Sequence, residues 1–419
     1  MSELLEEIEK RLNAKTIHDL RQVARAVGVP RPADGKKDRV VDYILQIATG
    51  KADPAAPAVR GAPPKSPEYD RDLVKDILRC RETFLFSQEP AAPEKPLLTV
   101  SGGDLTEFKA GGVLEKIDGK WFARTGGNRS ADIFVNEKLI ARYSLRSGDL
   151  VTGLCKRAQP DEMAGLVNIE SVNGYPLNAL PERCDFASLG ARYPEKRLLT
   201  STEADLLAPL AAGQRAAVCG AHGSGKTYFI KRLINGVTNN HPQLKIIIIL
   251  VDARPEEAED FKTSFPRADL FCSQMDAGAA AHVSCANLAL EYAKRQVELS
   301  ADVLVVIDSL TSLARAFGQC SSQPYGAAAS DGAKRFLAAA KNAGDRSLTV
   351  LAALDTEGGF ESELYSSLAG LCSMRVTLSK KLALARAYPP IDVAETHTSG
   401  DERLLSEEEL KKQKELYGR

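Results

Sequence analysis

The chain has 419 residues, of which 44% are hydrophobic and 26% charged, and its formal net charge is −1. This length suffices for two or three domains, and the near-zero charge excludes an overall basic field, so any nucleic-acid contact must come from a local patch. The charged N-terminus, the lack of an apolar run of membrane-spanning length and eight scattered cysteines without a C-x-x-C pair indicate a cytoplasmic protein with no membrane partner.

The first 50 residues are predicted to form a helical module, because apolar residues recur there at helical spacing. Its basic side chains favour a solvated helix face over a nucleic-acid contact, and both alternatives stay open. These basic residues are Arg21, Arg25, Arg31, Lys36, Lys37 and Arg39. Residues 51–107 are rich in Pro and Ala and are predicted to be a linker that contains one short helix, Asp72 to Arg81.

Residues 108–176 change to short apolar runs separated by turn residues. The runs are Gly112–Ile117, Trp121–Arg124, Ile133–Val135, Leu150–Cys155 and Leu166–Val172. Short strands at this spacing predict a small β-barrel. Within Lys120–Arg124, aromatic residues stand next to cations, a composition that can stack bases and hold phosphates. Because neighbours on a strand face opposite sides, one of the two rings is equally compatible with the barrel core.

Residues 177–419 alternate between strand-like and helix-like segments. Runs of apolar residues predict buried strands at Arg215–Cys219, Lys245–Val251, Val303–Ile307 and Thr349–Leu351. Helical patterns lie between them, notably from Ala281 to Leu299. This alternation predicts a parallel sheet covered by helices. The predicted fold class is therefore multidomain α/β, with the helical module and the small barrel ahead of the sheet.

The segment from Gly220 to Thr227, GAHGSGKT, fits the phosphate-binding pattern G-x-x-x-x-G-K-[ST] at every position. It follows a predicted strand and opens a predicted helix, Thr227 to Ile234, which is the context that phosphate binding requires. Glycines let backbone N–H groups close around phosphates, and the helix N-terminus favours negative charge. We expect Lys226 to reach the terminal phosphates and Thr227 to ligate Mg²⁺.

A second signal is the apolar strand Val303–Ile307 followed by Asp308, whose carboxylate can lie near the Mg²⁺. Hydrolysis also needs a group that orients the attacking water and a cation for the charge that develops on the phosphate. Asp252, Glu256 and Glu257, which follow the Ile-rich strand, are candidates for the first role.

Several motifs occur in the order found in one known family. Ile249–Glu257 (ILVDARPEE) and Asp308–Ala316 (DSLTSLARA) resemble D-E-R-P-E-E and D-S-I-T-R-L-A-R-A, and Gly213–Arg215 and Ser379–Asp392 also match. These are signatures of the bacterial transcription termination factor Rho family. The resemblance implies an N-terminal helical module, an oligonucleotide-binding barrel and a RecA-like domain that binds ATP with Mg²⁺. It also implies a homohexamer that binds single-stranded RNA and acts with RNA polymerase.

The resemblance further implies roles for individual residues. The nucleotide-binding positions would be Gly213, Gln214, Arg215, Gly223, Ser224, Gly225, Lys226, Thr227, Tyr228, Arg254 and Tyr388. Lys226, Asp308 and Arg386 would be catalytic, with Arg386 as an arginine finger supplied to a neighbouring subunit. Thr227 and Asp308 would hold Mg²⁺. The RNA-binding residues of the barrel would be Trp121, Phe122, Arg124, Asp132 and Phe134.

Some functional positions depart from the family pattern. The family's water-activating Glu is Ala253 here, the Arg of D-S-I-T-R is Ser312, and the RNA-gripping Lys of a later loop is Gly359. Two hypotheses therefore stand. The first is an RNA-dependent ATPase and helicase that terminates transcription. The second is a relative that binds ATP and RNA with weak or no hydrolysis and has a regulatory role instead of a motor role. A different RecA-like ring is a third alternative, which the barrel and the R-P-E-E motif argue against.

Overall fold

The structure is a computed structural model that describes residues 8, 10–27, 29, 36–49, 70, 73–74, 76–77, 107–125, 132–157 and 163–417. The chain divides into two compact units, Met1–Lys95 and Pro96–Arg419. Most of the predicted linker, and with it most of the predicted short helix, lies outside the described residues.

The first unit is helical where it is described. Helix α1 spans Ile17–Ala26 and helix α2 spans Lys37–Ala48. Their apolar faces meet in one buried cluster, which Leu73 and Ile77 from the predicted short helix also join. The helical spacing in the sequence therefore corresponds to a small helical core.

Six strands and one short helix form the barrel. They are β1 (Glu107–Ile117), β2 (Lys120–Arg124), β3 (Ile133–Val135), α3 (Glu137–Arg142), β4 (Leu150–Lys156), β5 (Gly165–Val172) and β6 (Tyr175–Pro176). The strands pair in the order β3-β2-β1-β4-β5-β6, and a parallel pairing of β3 with β5 closes the sheet. Gly153 lets β4 bend close to β5, since a Cβ there would lie 1.9 Å from the carbonyl oxygen of Asn168. The predicted barrel is confirmed.

The remaining strands form one sheet that is parallel through its centre. They are β7 (Arg215–Gly220), β8 (Lys245–Ala253), β9 (Asp269–Gln274), β10 (Asp302–Asp308), β11 (Lys341–Asn342), β12 (Ser347–Asp355), β13 (Met374–Leu378) and β14 (His397–Thr398). The order is β14-β13-β7-β12-β10-β8-β9, with β11 paired to β12, and only β11 and β14 are antiparallel among these strands. The predicted parallel sheet is confirmed.

Helices cover both faces of this sheet. They are α4 (Ala204–Leu207), α5 (Lys226–Asn240), α6 (Pro255–Ser264), α7 (Ala279–Glu298), α8 (Leu310–Cys320), α9 (Tyr325–Ala338), α10 (Gly359–Leu368), α11 (Lys380–Leu384) and α12 (Glu407–Leu416). Along β8, Ile247 and Ile249 join the apolar cluster under α7 to α10, whereas Ile246 and Ile248 join the cluster under α5 and α6. A strand buried on both faces explains the continuous apolar run.

The barrel packs directly against the sheet domain. Val113 of β1 joins the buried cluster on the α7 side of the sheet, and Leu150 packs against that cluster. One face of the barrel is therefore bordered by α7. In the part of the chain that the structure describes, no helix is both long enough and apolar enough to cross a membrane.

Candidate functional site

The predicted phosphate loop connects the carboxyl end of β7 to the first turn of α5. Gly223 and Gly225 have φ values of +80° and +91°, which glycine adopts without steric cost. A Cβ atom built on either glycine meets no atom of the described residues within 4 Å, so the loop borders open space. Ser224 is fully buried, and its Oγ has no hydrogen-bond partner among the described residues. A bound phosphate oxygen would satisfy this buried hydroxyl.

The ammonium of Lys226 lies inside this loop. Its Nζ donates to the backbone oxygens of Gly220 and Ala221, at 3.0 and 3.1 Å, and to Oδ1 of Asp355 at 2.7 Å. Asp355 reaches the loop because β12 pairs with β7 and sets Asp355 opposite Gly220. This partner of Lys226 was not predicted from the sequence. Asp355 ends an apolar strand, as Asp308 does, and this pattern could have identified it in the sequence.

Thr227 and Asp308 lie side by side, as the sequence predicts for a magnesium site. The Thr227 hydroxyl donates a hydrogen bond to the Asp308 carboxylate. Burial raises the pKa of the Asp308 carboxyl, and the Thr227 hydrogen bond and the Lys226 charge offset part of that increase. Two oxygen donors beside the phosphate loop fit Mg²⁺, which binds oxygen ligands through few protein groups plus the phosphates. A cation there would also stabilise the charge of the buried carboxylate.

Two tyrosine rings stand beside this cluster. Tyr228, which follows Thr227, is 62% exposed, Tyr388 is 57% exposed, and their ring centroids are 6.4 Å apart. Solvent-exposed aromatic faces can stack a nucleobase. Arg386 precedes Tyr388 by two residues and is exposed, with a φ of +59°. Arg254 is exposed at the N-terminus of α6, directly after β8.

Three of the predicted nucleotide-binding residues lie elsewhere. Gly213, Gln214 and Arg215 stand at the amino end of β7, whereas the phosphate loop follows its carboxyl end, about 16 Å away at ~3.3 Å per residue. The Gln214 side chain accepts the N–H of Ala211 at 2.9 Å, and Nε of Arg215 donates to the carbonyl oxygen of Leu371 at 3.0 Å. These side chains bind the protein itself. Their assignment to the nucleotide stays a prediction, and the intervening strand places them apart from the phosphate loop of the same chain.

The predicted RNA-binding aromatic residues divide between the two faces of the barrel sheet. Phe122 and Phe134 lie opposite each other on β2 and β3, with ring centroids 6.1 Å apart and Phe134 exposed. Trp121, their neighbour on the strand, packs against the barrel core instead. The alternation of a β-strand accounts for this division. Phe134 is thus exposed and lies beside the partly buried Phe122, and Trp121 is not brought together with them.

The predicted cation Arg124 lies on the same face as Phe122 and stands between two carboxylates. Its Nη1 is 2.5 Å from Oε2 of Glu115, and its Nε is 2.9 Å from Oδ2 of Asp132. Burial raises the pKa of the Asp132 carboxyl, and the Arg124 charge lowers it in part. Glu115 was not predicted from the sequence. The hairpin turn at Asp118-Gly119 could have identified it, because that turn sets Glu115 opposite Phe122.

Comparison with known proteins bears on both sites. Residues 110–178 match the family model described as the Rho termination factor RNA-binding domain, and residues 202–398 match the nucleotide-binding domain of the ATP synthase alpha/beta family. The chain is 33% identical to transcription termination factor Rho of Bacillus subtilis over 322 residues, which is 71% of this chain and 75% of that protein. The chain belongs to the Rho family.

Other relatives differ in how much of their length is matched. Transcription termination factor Rho of Micrococcus luteus is 33% identical over 332 residues, which is 72% of this chain but 48% of that protein. This Rho-family chain therefore spans about half the length of that relative. A solved structure of an ATP synthase subunit from Nanoarcheaum equitans has a TM-score of 0.50 at 20% identity and covers 58% of this chain and 64% of that chain. This likeness concerns the fold alone.

The carboxyl end of β8 in this Rho-family chain bears a buried alanine, Ala253, next to an exposed carboxylate, Asp252. Ala253 is buried, and its methyl group belongs to the apolar cluster under α5 and α6. Asp252 before it is exposed, with a φ of +61°, at an irregularity in the pairing of β8 with β9. Glu257 accepts the N–H of Arg254 at 3.2 Å, and its negative charge acts on Asp308. The carboxylates near the phosphate loop are therefore borne by residues other than 253.

Proposed function

We propose that this chain is an RNA-dependent ATPase and helicase that uses ATP with Mg²⁺ to move along single-stranded RNA and so terminates transcription. The observation that carries the proposal is the convergence of Lys226, Thr227 and Asp308 in a compact unit whose barrel also carries the exposed Phe134 ring beside the partly buried Phe122 ring. Such a motor needs a nucleotide site and a surface for bases. Assembly as a homohexamer, action with RNA polymerase and a cytoplasmic location are parts of the proposal that rest on family membership.

The phosphates of ATP would be bound by groups of the chain itself. The loop borders open space at Gly223 and Gly225, and ATP would replace Asp355 as the partner of the Lys226 ammonium. Thr227 and Asp308 would hold Mg²⁺ through oxygen. When bound, Mg²⁺ would supply positive charge that stabilises the negative charge developing on the phosphates. Tyr228 and Tyr388 would stack the base from the solvent side.

Hydrolysis requires a group that orients the attacking water, and the methyl group of Ala253 cannot accept a proton. Another carboxylate near the phosphate loop has to take this role if turnover occurs. We assign it to Glu257, because its charge acts on Asp308 and it stands in the first turn of α6, directly after β8. Arg386 is the candidate cation for the phosphate charge, and its action on a neighbouring subunit stays a prediction.

RNA would bind the outer face of the barrel. Phe122 and Phe134 offer two adjacent rings, and base–aromatic stacking is worth about 1–3 kcal/mol per base. On the same face, the Arg124 guanidinium can donate to base edges or phosphates, and the Asp132 carboxylate beside it can accept from amino groups of bases. With a net charge of −1, binding rests on these local contacts, so high salt should weaken it.

The test is steady-state ATP hydrolysis by the purified protein, with and without a cytosine-rich RNA. Lys226→Ala removes the phosphate contact, and Lys262→Ala is the matched control, because Lys262 is an exposed partner of Glu259 on α6. RNA-stimulated turnover that Lys226→Ala abolishes and Lys262→Ala preserves supports the proposal. Nucleotide and RNA binding without turnover would instead make the chain a regulatory relative. Failure to bind nucleotide would rule out both.

A further inference from the structure

Among the described residues, three contacts of helix α7 with the barrel lie seven residues apart along the helix. Ser284 donates its hydroxyl to Oε1 of Glu115 at 2.7 Å. Gly148 lies against the backbone of Glu291, where a Cβ on the glycine would be 2.4 Å from the carbonyl carbon. The fully buried carboxylate of Glu298 accepts a hydrogen bond from Arg146. A spacing of seven residues is two helical turns, so one face of α7 follows the barrel along its length.

The first of these contacts reaches the predicted RNA site. Glu115 uses one carboxylate oxygen for Ser284 and the other for Nη1 of Arg124. Arg124 also lies 2.9 Å from Asp132. Ser284 belongs to the sheet domain. Its hydroxyl is therefore linked through the Glu115 carboxylate to the Arg124 guanidinium on the predicted RNA surface. A change in the hydrogen bond from Ser284 alters how strongly Glu115 holds that guanidinium.

The same end of α7 is tied to the nucleotide edge of the sheet. His282 and Ser273 share a buried hydrogen bond of 2.8 Å between Nδ1 and Oγ. Ser273 lies on β9, opposite Val251 of β8. The segment between β9 and α7 adds a second tie, because the N–H of Met275 donates to the carbonyl oxygen of Ala253 at 3.0 Å. These two hydrogen bonds thus connect the carboxyl end of β8 to the first turns of α7.

We propose that Ser284 is a positioning residue that acts through Glu115 on Arg124 and couples RNA binding by the barrel to nucleotide binding by the sheet domain. The inference rests on the proposed function, since it requires that the barrel bind RNA and the phosphate loop bind nucleotide. Nucleotide binding rearranges the end of β8 and the start of α7, and the Ser284 hydroxyl transmits this to Glu115. Coupling is reciprocal, so RNA at Arg124 changes nucleotide affinity by the same factor.

The experiment measures the affinity of the full chain for a fluorescein-labelled oligocytidine RNA, with and without saturating Mg²⁺ and adenylyl imidodiphosphate. We expect the analogue to tighten RNA binding by about fivefold or more in the unaltered protein. Ser284→Ala should bring this factor close to one, and Ser284→Thr, which keeps the hydroxyl, should restore it. Ser171→Ala is the matched control, because it removes a hydroxyl that is bonded within the barrel to Thr152.

The outcomes separate the coupling from the proposed function. If the unaltered protein binds RNA and the analogue without any coupling, or if Ser284→Ala keeps the full factor, the inference is wrong while the proposed function stands. If Ser284→Thr behaves like Ser284→Ala, or Ser171→Ala loses coupling equally, the hydroxyl contact is not the cause and the inference also fails. Absence of RNA binding by the unaltered protein would overturn both.

Discussion

The ammonium of Lys226 and the carboxylate of Asp355 lie 2.7 Å apart and join the phosphate loop to the end of β12. Both side chains are largely buried. An incoming phosphate needs the same ammonium, so Asp355 competes with the nucleotide for its main cation. The carboxylate also adds negative charge beside Asp308, where Mg²⁺ and phosphates are expected to bind.

Asp355→Asn should therefore tighten the binding of ATP with Mg²⁺. Loss of the ion pair frees the Lys226 ammonium, and loss of a negative charge reduces repulsion of the phosphates, so both changes favour ATP binding. We expect the dissociation constant to fall by about threefold to tenfold, as about 1 kcal/mol for a partly buried pair implies. Isothermal titration calorimetry checks this. Asp345→Asn is the control, because Asp345 is an exposed partner of Arg346, outside the phosphate loop. Weaker binding by Asp355→Asn would show that the carboxylate supports the nucleotide instead.

Ala253→Glu should raise ATP turnover while lowering stability. A general base contributes roughly 100-fold or more to such a reaction, so we expect a gain of about tenfold even with imperfect placement. The new side chain starts in an apolar cluster, and burying its carboxyl group should cost about 1–3 kcal/mol of the free energy of unfolding. Steady-state hydrolysis and urea unfolding measure the two effects.

Ala258→Glu is the matched control for this change. Ala258 is buried in the same cluster, on α6. The Ala258→Glu variant should lose a similar free energy of unfolding and show no increase in ATP turnover. Equal turnover in both variants and the unaltered protein would mean that a carboxylate at position 253 has no place in the reaction of this chain. Glu257→Gln would then be the next variant to measure.

The elements of the fold follow from local sequence pattern, whereas the partners in the site do not. Continuous isoleucines indicate a strand buried on both faces, and GAHGSGKT indicates a phosphate loop, because each is a property of neighbouring residues. Asp355 stands 129 residues from Lys226, and only the pairing of β12 with β7 brings them together. Strand order cannot be obtained from local pattern.

Residues that are close in sequence show the reverse case. Gly213, Gln214 and Arg215 are close to the phosphate loop in sequence, yet a strand separates them from it by its whole length. A β-strand is fully extended, so its first and last residues lie at opposite ends of the strand, far apart. Trp121 and Phe122 show the same effect across the strand, since adjacent rings point to opposite faces.

Phe134→Ala should weaken RNA binding with little effect on folding. The ring is 39% exposed and stands beside Phe122, so its loss removes a stacking surface and little core packing. We expect the dissociation constant for oligocytidine to rise roughly fivefold or more. Fluorescence anisotropy measures it. Tyr175→Ala is the control, because Tyr175 is a barrel residue with 38% exposure on β6. Equal losses in the two variants would argue against a specific stacking site.

Glu409→Gln should destabilise the protein at neutral pH and lose this effect in acid. Glu409 binds Arg197, accepting from Nη1 at 2.7 Å, and accepts the N–H of Ser406 at the start of α12 at 2.9 Å. The Arg197 hydrogen bond, followed by that from Ser406, lowers the pKa of the carboxyl from 4.5 to about 2. A depressed pKa in the folded state means that the stabilisation is complete above pH 4.5 and disappears as the pH falls towards 2.

Because the Glu409 side chain is partly exposed, solvent screens the ion pair, and the expected loss for Glu409→Gln at neutral pH is about 1 kcal/mol. Urea unfolding at several pH values measures it. The difference between the two proteins should stay constant above pH 4.5 and shrink below it, since the protonated Glu409 then resembles Gln. Glu408→Gln, on the solvent side of the same first turn, should show no such pattern. A difference that grew in acid would mean that another group, and not Glu409, governs the stability of α12.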